Sequence, residues 1–270
     1  MDKTTLPMLI LAIASVLGGM VLEGGSPASL LNLPAAVIVI GGTFGVAFCG
    51  FPFHIVANVP KLFVVAIMDK PINLVTTVDG FVRLSDKARR EGLLALEQEA
   101  ATLHPFAQKG VMLVVDGSDP HLVREIMEGE IAAIEQRHKS NAAIFDALGG
   151  FGPTLGIIGT VMGLINVLGN LSDPDSLGPA ISGAFIATLY GVFSANVLFL
   201  PLGTKLKQKS SMETQALELM VEGVLAVQAG DNPRVLKEKL ESYLPPGLRG
   251  RAKNEKAGAG AKSEAATAAA

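Results

Sequence analysis

Residues 147–172 read ALGGFGPTLGIIGTVMGLINVLGNLS, without one Asp, Glu, Lys or Arg. A helix of about 18–20 apolar residues crosses the ~30 Å hydrocarbon layer of a bilayer. Working outward, three more stretches share the property, 4–22, 24–53 and 176–204, and nearly all the charge falls between them. Charged residues make up 17% of the chain, against about 25% in ordinary soluble domains. Hydrophobic residues reach 49%, and the mean hydropathy is +0.44. The chain is therefore expected to be a membrane protein. A disulfide scaffold is excluded by a single cysteine, Cys49, and a disordered protein or a single soluble enzyme domain by the apolar runs. A net charge of −3 gives no reason to expect nucleic-acid binding.

Charge placement predicts the topology. Apart from Lys3, every lysine and arginine lies in 61–139 or 205–262, and neither short loop, Glu23-Gly24-Gly25-Ser26-Pro27 or Ser172-Asp173-Pro174-Asp175, holds one. The positive-inside rule then puts both short loops outside, and both termini and residues 61–146 in the cytoplasm. The expected fold is an all-α membrane protein with four transmembrane helices, a helical cytoplasmic domain between spans 2 and 3, and a cytoplasmic C-terminal helical segment. The expected domains are a hairpin at 1–55, a cytoplasmic domain at 56–150, a second hairpin at 151–205, C-terminal helices at 206–246 and a disordered tail at 247–270. Within the cytoplasmic part, 72–101, 119–146 and 211–241 carry apolar residues at helical spacing, broken at Asp116–Pro120 and Gly230–Pro233.

No expected span has an ionisable residue near its centre, whereas proton relays and pumps need a carboxylate or histidine there. His54, at the inner end of span 2, reads as interfacial. If ions pass by protonation or coordination of a carboxylate, a partner must bring that carboxylate. Spans 3 and 4 carry small residues in ladders, Gly152, Gly156, Gly159 and Gly163 in one, Gly183, Ala187, Gly191 and Ala195 in the other. Small residues let helix backbones approach closely where lipid supplies no hydrophobic force. Thr160 and Thr188 lie on these faces near mid-span. Each hydroxyl either bonds its own i−4 carbonyl or lines a polar path. Pro153 reads as a residue of a first helical turn, and Pro201, inside an apolar run, is expected to kink its helix.

The segment DKARREGLLALE (86–97) mixes dense charge with leucines. On one continuous helix Arg83, Arg90 and Glu97 share a face, although Gly92 can interrupt it. Such a run is either a solvated face or a docking surface, where charge sets orientation and association rate. No segment offers a nucleophile–base pair, a metal-ligand cluster or a phosphate-binding glycine loop with its lysine, so neither an enzyme nor a metal or cofactor is expected.

Four segments together resemble one family. DKARREGLLALE (86–97), GPTLGIIGTVMGLI (152–165), ATLYGVFSANVLFLP (187–201) and MVEGVLAVQAGDNPRVLKEKLESYLPP (220–246) are similar to the MotA/PomA subunit of the bacterial flagellar stator, over about residues 1–246. The resemblance implies an inner-membrane complex in which a ring of copies, five in that family, surrounds a MotB/PomB-type single-span partner. That partner carries the membrane Asp, and ion flow (H+ or Na+) turns the ring against the rotor protein FliG. It further implies that Arg89, Arg90 and Glu97 face the rotor, and that Thr160 and Thr188 line the ion path. Pro153 and Pro201 serve conformational coupling, while Gly156, Gly159, Gly163, Gly183, Ala187 and Gly191 pack helices. Many relatives have a Thr-Thr pair where this chain has Ala187-Thr188, so the ion is left open. Two other readings stand beside it, a TolQ/ExbB-type energiser of envelope transport and a membrane scaffold without ion coupling.

Overall fold

The computed structural model describes residues 5–68, 71–172 and 174–249, with Ser176 described in its backbone alone. All regular structure among them is helical. The expected tail lies outside the described residues from 250 onward; a short 3-10 turn covers Pro246–Leu248. Two compact units form, residues 5–68 with 136–210, and residues 71–135 with 211–249.

In the first unit, α1 (Thr5–Leu22) is apolar throughout and buries no residue. After a 3-10 turn at Pro27–Leu30, α2 runs Leu33–Cys49. It starts where the Asn32 side chain accepts the Ala35 N–H at 2.9 Å, with Pro34 in the first turn. It ends at Gly50, ahead of Pro52. A π-helical turn occupies Val37–Gly41. Three stretches are long and apolar enough to cross a membrane, Thr5–Leu22, Pro120–Gly169 and Leu177–Gln228, and α2 falls just short.

Helix α3 (Phe53–Ile67) is a separate element that the hydropathy pattern does not set apart from its neighbours. It begins after Pro52 and buries Ile55, Val59, Leu62 and Ala66, one face at helical spacing, against Ile144, Phe145, Leu148, Phe199 and Leu202. The Lys209 ammonium donates to the Val65 and Met68 carbonyls at 2.9 and 2.6 Å, meeting groups that a helix end leaves open.

The second unit contains α4 (Leu74–Glu91), α5 (Pro105–Val115) and, after the N-terminal part of α6 (Pro120–Gly169) has entered, the C-terminal part of α8 and α9 (Pro233–Glu241). Between α6 and α8 lie α7 (Pro174–Phe193) and a π-helical turn (Ser194–Phe199); α8 is Leu200–Gln228. The core of this unit is Phe81, Leu84, Leu96, Met127, Leu217 and Leu236 with their neighbours. Gly223 lets the Phe81 ring sit where a Cβ would lie 2.7 Å from it. Each such side chain contributes roughly 1.5–3 kcal/mol on burial. The Ser85 hydroxyl donates to the Asp231 carbonyl at 2.7 Å, fastening α4 to the turn between α8 and α9.

Two helical expectations need correction. The stretch 72–101 is not one helix, because α4 ends at Gly92, whose φ of +84° suits glycine alone, and a 3-10 turn (Leu93–Leu96) and a short helix (Glu97–Ala100) follow. Helix α6 runs unbroken to Gly169, so Pro153 lies deep in a helix and not in a first turn.

Candidate functional site

Within the first unit α6 and α7 meet along the small-residue ladders. A Cβ on Gly156 would lie 3.1 Å from the Ala187 carbonyl and 3.2 Å from the Thr188 Cα. On Gly159 it would meet the Ala187 Cβ at 2.8 Å, and on Gly163 the Ala184 Cβ at 2.7 Å. On Gly191 it would strike the Gly152 backbone, with the Gly156 Cα at 3.0 Å. The seam thus joins Gly156, Gly159, Gly163, Ala187 and Gly191. Gly183 sits apart from it, facing the Asn32 side chain, whose Nδ2 would be 2.8 Å from its Cβ.

The two threonines meet inside this seam. The Thr160 hydroxyl lies 3.0 Å from the Gly156 carbonyl on its own helix and 2.9 Å from the Ala184 carbonyl on α7, and it is in hydrogen-bond contact with the Thr188 hydroxyl. One hydroxyl hydrogen serves one carbonyl at a time, so local and cross-helix bonding compete. The result is a cluster of oxygen atoms, half-buried, in a layer of otherwise apolar side chains. Oxygen donors of this kind can help replace the hydration shell of a small cation or hold a hydrogen-bonded water. They cannot titrate near neutral pH, and residues 147–169 and 177–204 contain no Asp, Glu, His, Lys or Arg.

The prolines lie toward the other end of the same seam. Pro153 has no N–H for the Gly149 carbonyl, and proline rings crowd the i−4 carbonyl. Gly149 also lies against the Leu200 side chain with no room for a Cβ. Pro201 follows the π-helical turn Ser194–Phe199 and cannot bond the Val197 carbonyl. Pro153 is half-buried and Pro201 exposed.

The charged segment belongs to the second unit. Arg89, Arg90 and Glu97 are all exposed. Arg90 pairs with Asp86 one turn back at 3.0 Å, and Lys87 with Glu99 at 2.9 Å. The Glu99 carboxylate raises the Lys87 pKa, chiefly through that hydrogen bond. The turn at Gly92 removes the shared face, so Arg90 lies in the last turn of α4 and Glu97 opens a separate short helix.

Several residues escaped the sequence reading. Glu222 lies inside an apolar stretch of α8 and holds both Lys239 at 2.7 Å and Arg124 at 3.0 Å. The Lys239 hydrogen bond, opposed by burial and aided by Arg124, keeps its carboxyl below the usual glutamate value of 4.5. A lone carboxylate in a buried helix face signals such a partner. The Lys207–Asp146 pair at 2.6 Å and the Tyr190 hydroxyl, bonded to Leu30 and Asn32, gave no periodic signal.

Two long apolar helices packed along small residues, with two hydroxyls in contact between them, define a helical membrane protein. A family model described as the MotA/TolQ/ExbB proton channel family matches residues 98–219, which include both threonines and both prolines. The chain is 42% identical over 247 residues to motility protein A of Bacillus subtilis, spanning 91% of this chain and 92% of that one. It is 38% identical over 252 residues to the chemotaxis protein PomA of Vibrio alginolyticus, spanning 92% and 98%. Among solved structures it resembles C. jejuni MotAB, with a TM-score of 0.87, 32% identity and coverage of 91% and 97%. It also resembles the flagellar MotAB stator complex from Bacillus subtilis, with a TM-score of 0.85, 41% identity and coverage of 90% and 97%. The chain belongs to the MotA/TolQ/ExbB family, in its MotA/PomA branch of flagellar stator subunits. It is an inner-membrane protein of a channel family, not of a known enzyme class.

Proposed function

We propose that this chain, with a MotB/PomB-type single-span partner, forms the ion-conducting complex that turns H+ or Na+ flow into torque on FliG. The observation that carries the reading is the Thr160–Thr188 hydroxyl pair in a seam without any titrating side chain. Neutral hydroxyls can coordinate a cation or hold a water but can neither carry a proton nor balance an ion's charge, and on this reading the partner's membrane Asp supplies that group. One elementary charge crossing about 100 mV releases about 2.3 kcal/mol, which drives each step.

On this reading 1–55 and 151–205 are membrane hairpins. Residues 56–150 and 206–246, with both termini, face the cytoplasm. Five copies ring the partner, as in the family. Arg89, Arg90 and Glu97 meet the rotor, their charges setting orientation and rate of engagement. Pro153 and Pro201 remove backbone hydrogen bonds on both sides of the seam, so bending there costs less than elsewhere in the helices. No cofactor takes part beyond the transported ion.

The test is swimming of a stator-deleted host carrying this chain and its partner, at varied sodium and pH. Restored swimming that follows one of the two ions supports the proposal. No swimming, with both proteins assembled in the membrane, contradicts it.

A further inference from the structure

Helix α2 begins at Leu33, and two backbone groups just before it, the Asn32 N–H and the Leu30 carbonyl, are met by one distant side chain. The Tyr190 hydroxyl, in the last turn of α7, accepts from the Asn32 N–H at 3.2 Å and donates to the Leu30 carbonyl. Its ring packs on the cluster of Ala35, Val39, Ile186 and Ala187. Away from water an unmet backbone group is costly, and phenylalanine of the same shape could satisfy neither. Helix α2 in turn lies behind the seam. Ile38 and Val39 would lie 3.5 and 3.7 Å from a Cβ on Gly159, and Val39 joins Ala187 in the buried cluster. Gly159 and Ala187 are the residues just before Thr160 and Thr188.

We propose that Tyr190 is a positioning residue for the ion path, a latch whose hydroxyl fixes where α2 starts and so holds α2 as a buttress behind the two threonines. The inference rests on Thr160 and Thr188 lining that path. Tyr190 touches neither the ion nor a reacting group in this account. It acts through the register of α2 against the seam. Losing the hydroxyl leaves the shape intact and frees the start of the helix.

The experiment uses the complex purified with its partner and reconstituted, in a Cys49→Ala background. Ala35→Cys, at a position 4% exposed, reports opening of α2 through its rate of modification by N-ethylmaleimide. Ion flux is read in the same vesicles for the unaltered chain, Tyr190→Phe and Thr188→Val. Tyr190→Phe is expected to speed labelling about tenfold, as for one lost buried hydrogen bond, and to reduce flux at unchanged assembly. Labelling as slow as in the parent overturns the latch, and faster labelling with full flux overturns its role in positioning. Full flux in Thr188→Val instead sinks the ion-path reading beneath it. Should Tyr190→Phe fail to assemble, hydrogen exchange in the unaltered complex decides: a protected Asn32 amide supports the latch, and exchange as fast as at the loop residue Ser26 overturns it.

Discussion

Thr160 and Gly191 show how few atoms the account depends on. Thr160 has two carbonyls and a second hydroxyl within reach, so a bulky apolar replacement such as Leu removes an oxygen from the cluster and fills its space. Thr160→Leu is expected to lower ion flux through the assembled complex, and undiminished flux would return the residue to a packing role. Gly191 has the Gly152 backbone where a Cβ would go, while Gly150 has open space around it. Gly191→Ala should therefore destabilise the seam by about 1–3 kcal/mol. Gly150→Ala should be neutral or stabilise by about 0.5–1 kcal/mol, as alanine does in a helix. Thermal unfolding of the two variants in detergent checks the contrast. The small residues and the threonines were legible in the sequence, because their spacing places them on one helix face. That Thr160 meets Thr188, and that Gly183 faces Asn32 and not the seam, depends on the register between elements far apart in the chain. Periodicity within one helix carries no such information.

At the scale of elements, Gly92 and Pro153 matter most. Gly92 ends α4 with a φ of +84° and a ψ of 170°, a region costing other residues about 1–3 kcal/mol. Gly92→Ala is expected to lower the stability of that turn, to shift Arg90 relative to Glu97, and to impair swimming more than membrane assembly. Wild-type swimming would show that the geometry between the two charges is unimportant. The glycine itself was visible as a possible break, but the helical spacing on both sides hid the turn. Pro153 misled in the opposite direction. A proline at the head of an apolar run looks like a helix start, yet α6 has already run from Pro120, because the charged stretch before it is equally helical.

Glu222 joins α8 to Arg124 of α6 and Lys239 of α9 within the second unit. Its carboxyl is held below 4.5. The stabilisation is then fully present above about 4.5 and is lost as pH falls through the lower folded value. Glu222→Gln should destabilise the unit at neutral pH by roughly 1–3 kcal/mol, since two cations lose their shared carboxylate. It should also flatten the fall in melting temperature below pH 4.5. An unchanged acid profile would show that another carboxylate governs it.

For the whole molecule, charge placement is the feature that connects sequence to role. The lysines and arginines avoid 4–60 and 140–204, and the exposed pair Arg89 and Arg90 belongs to the second unit, whereas the seam belongs to the first. Charge reversal at Arg90 or Glu97 is expected to impair motility with assembly intact, and normal swimming in both would remove the docking claim. The central claim concerns what the chain lacks, a titrating group of its own in the seam. It is tested most directly by ion flux into vesicles holding this chain alone, the chain with its single-span partner, and the chain with a partner whose membrane Asp is replaced by Asn. Flux in the second preparation only is the predicted result. Flux through the chain alone, or through the complex without that Asp, would contradict the account.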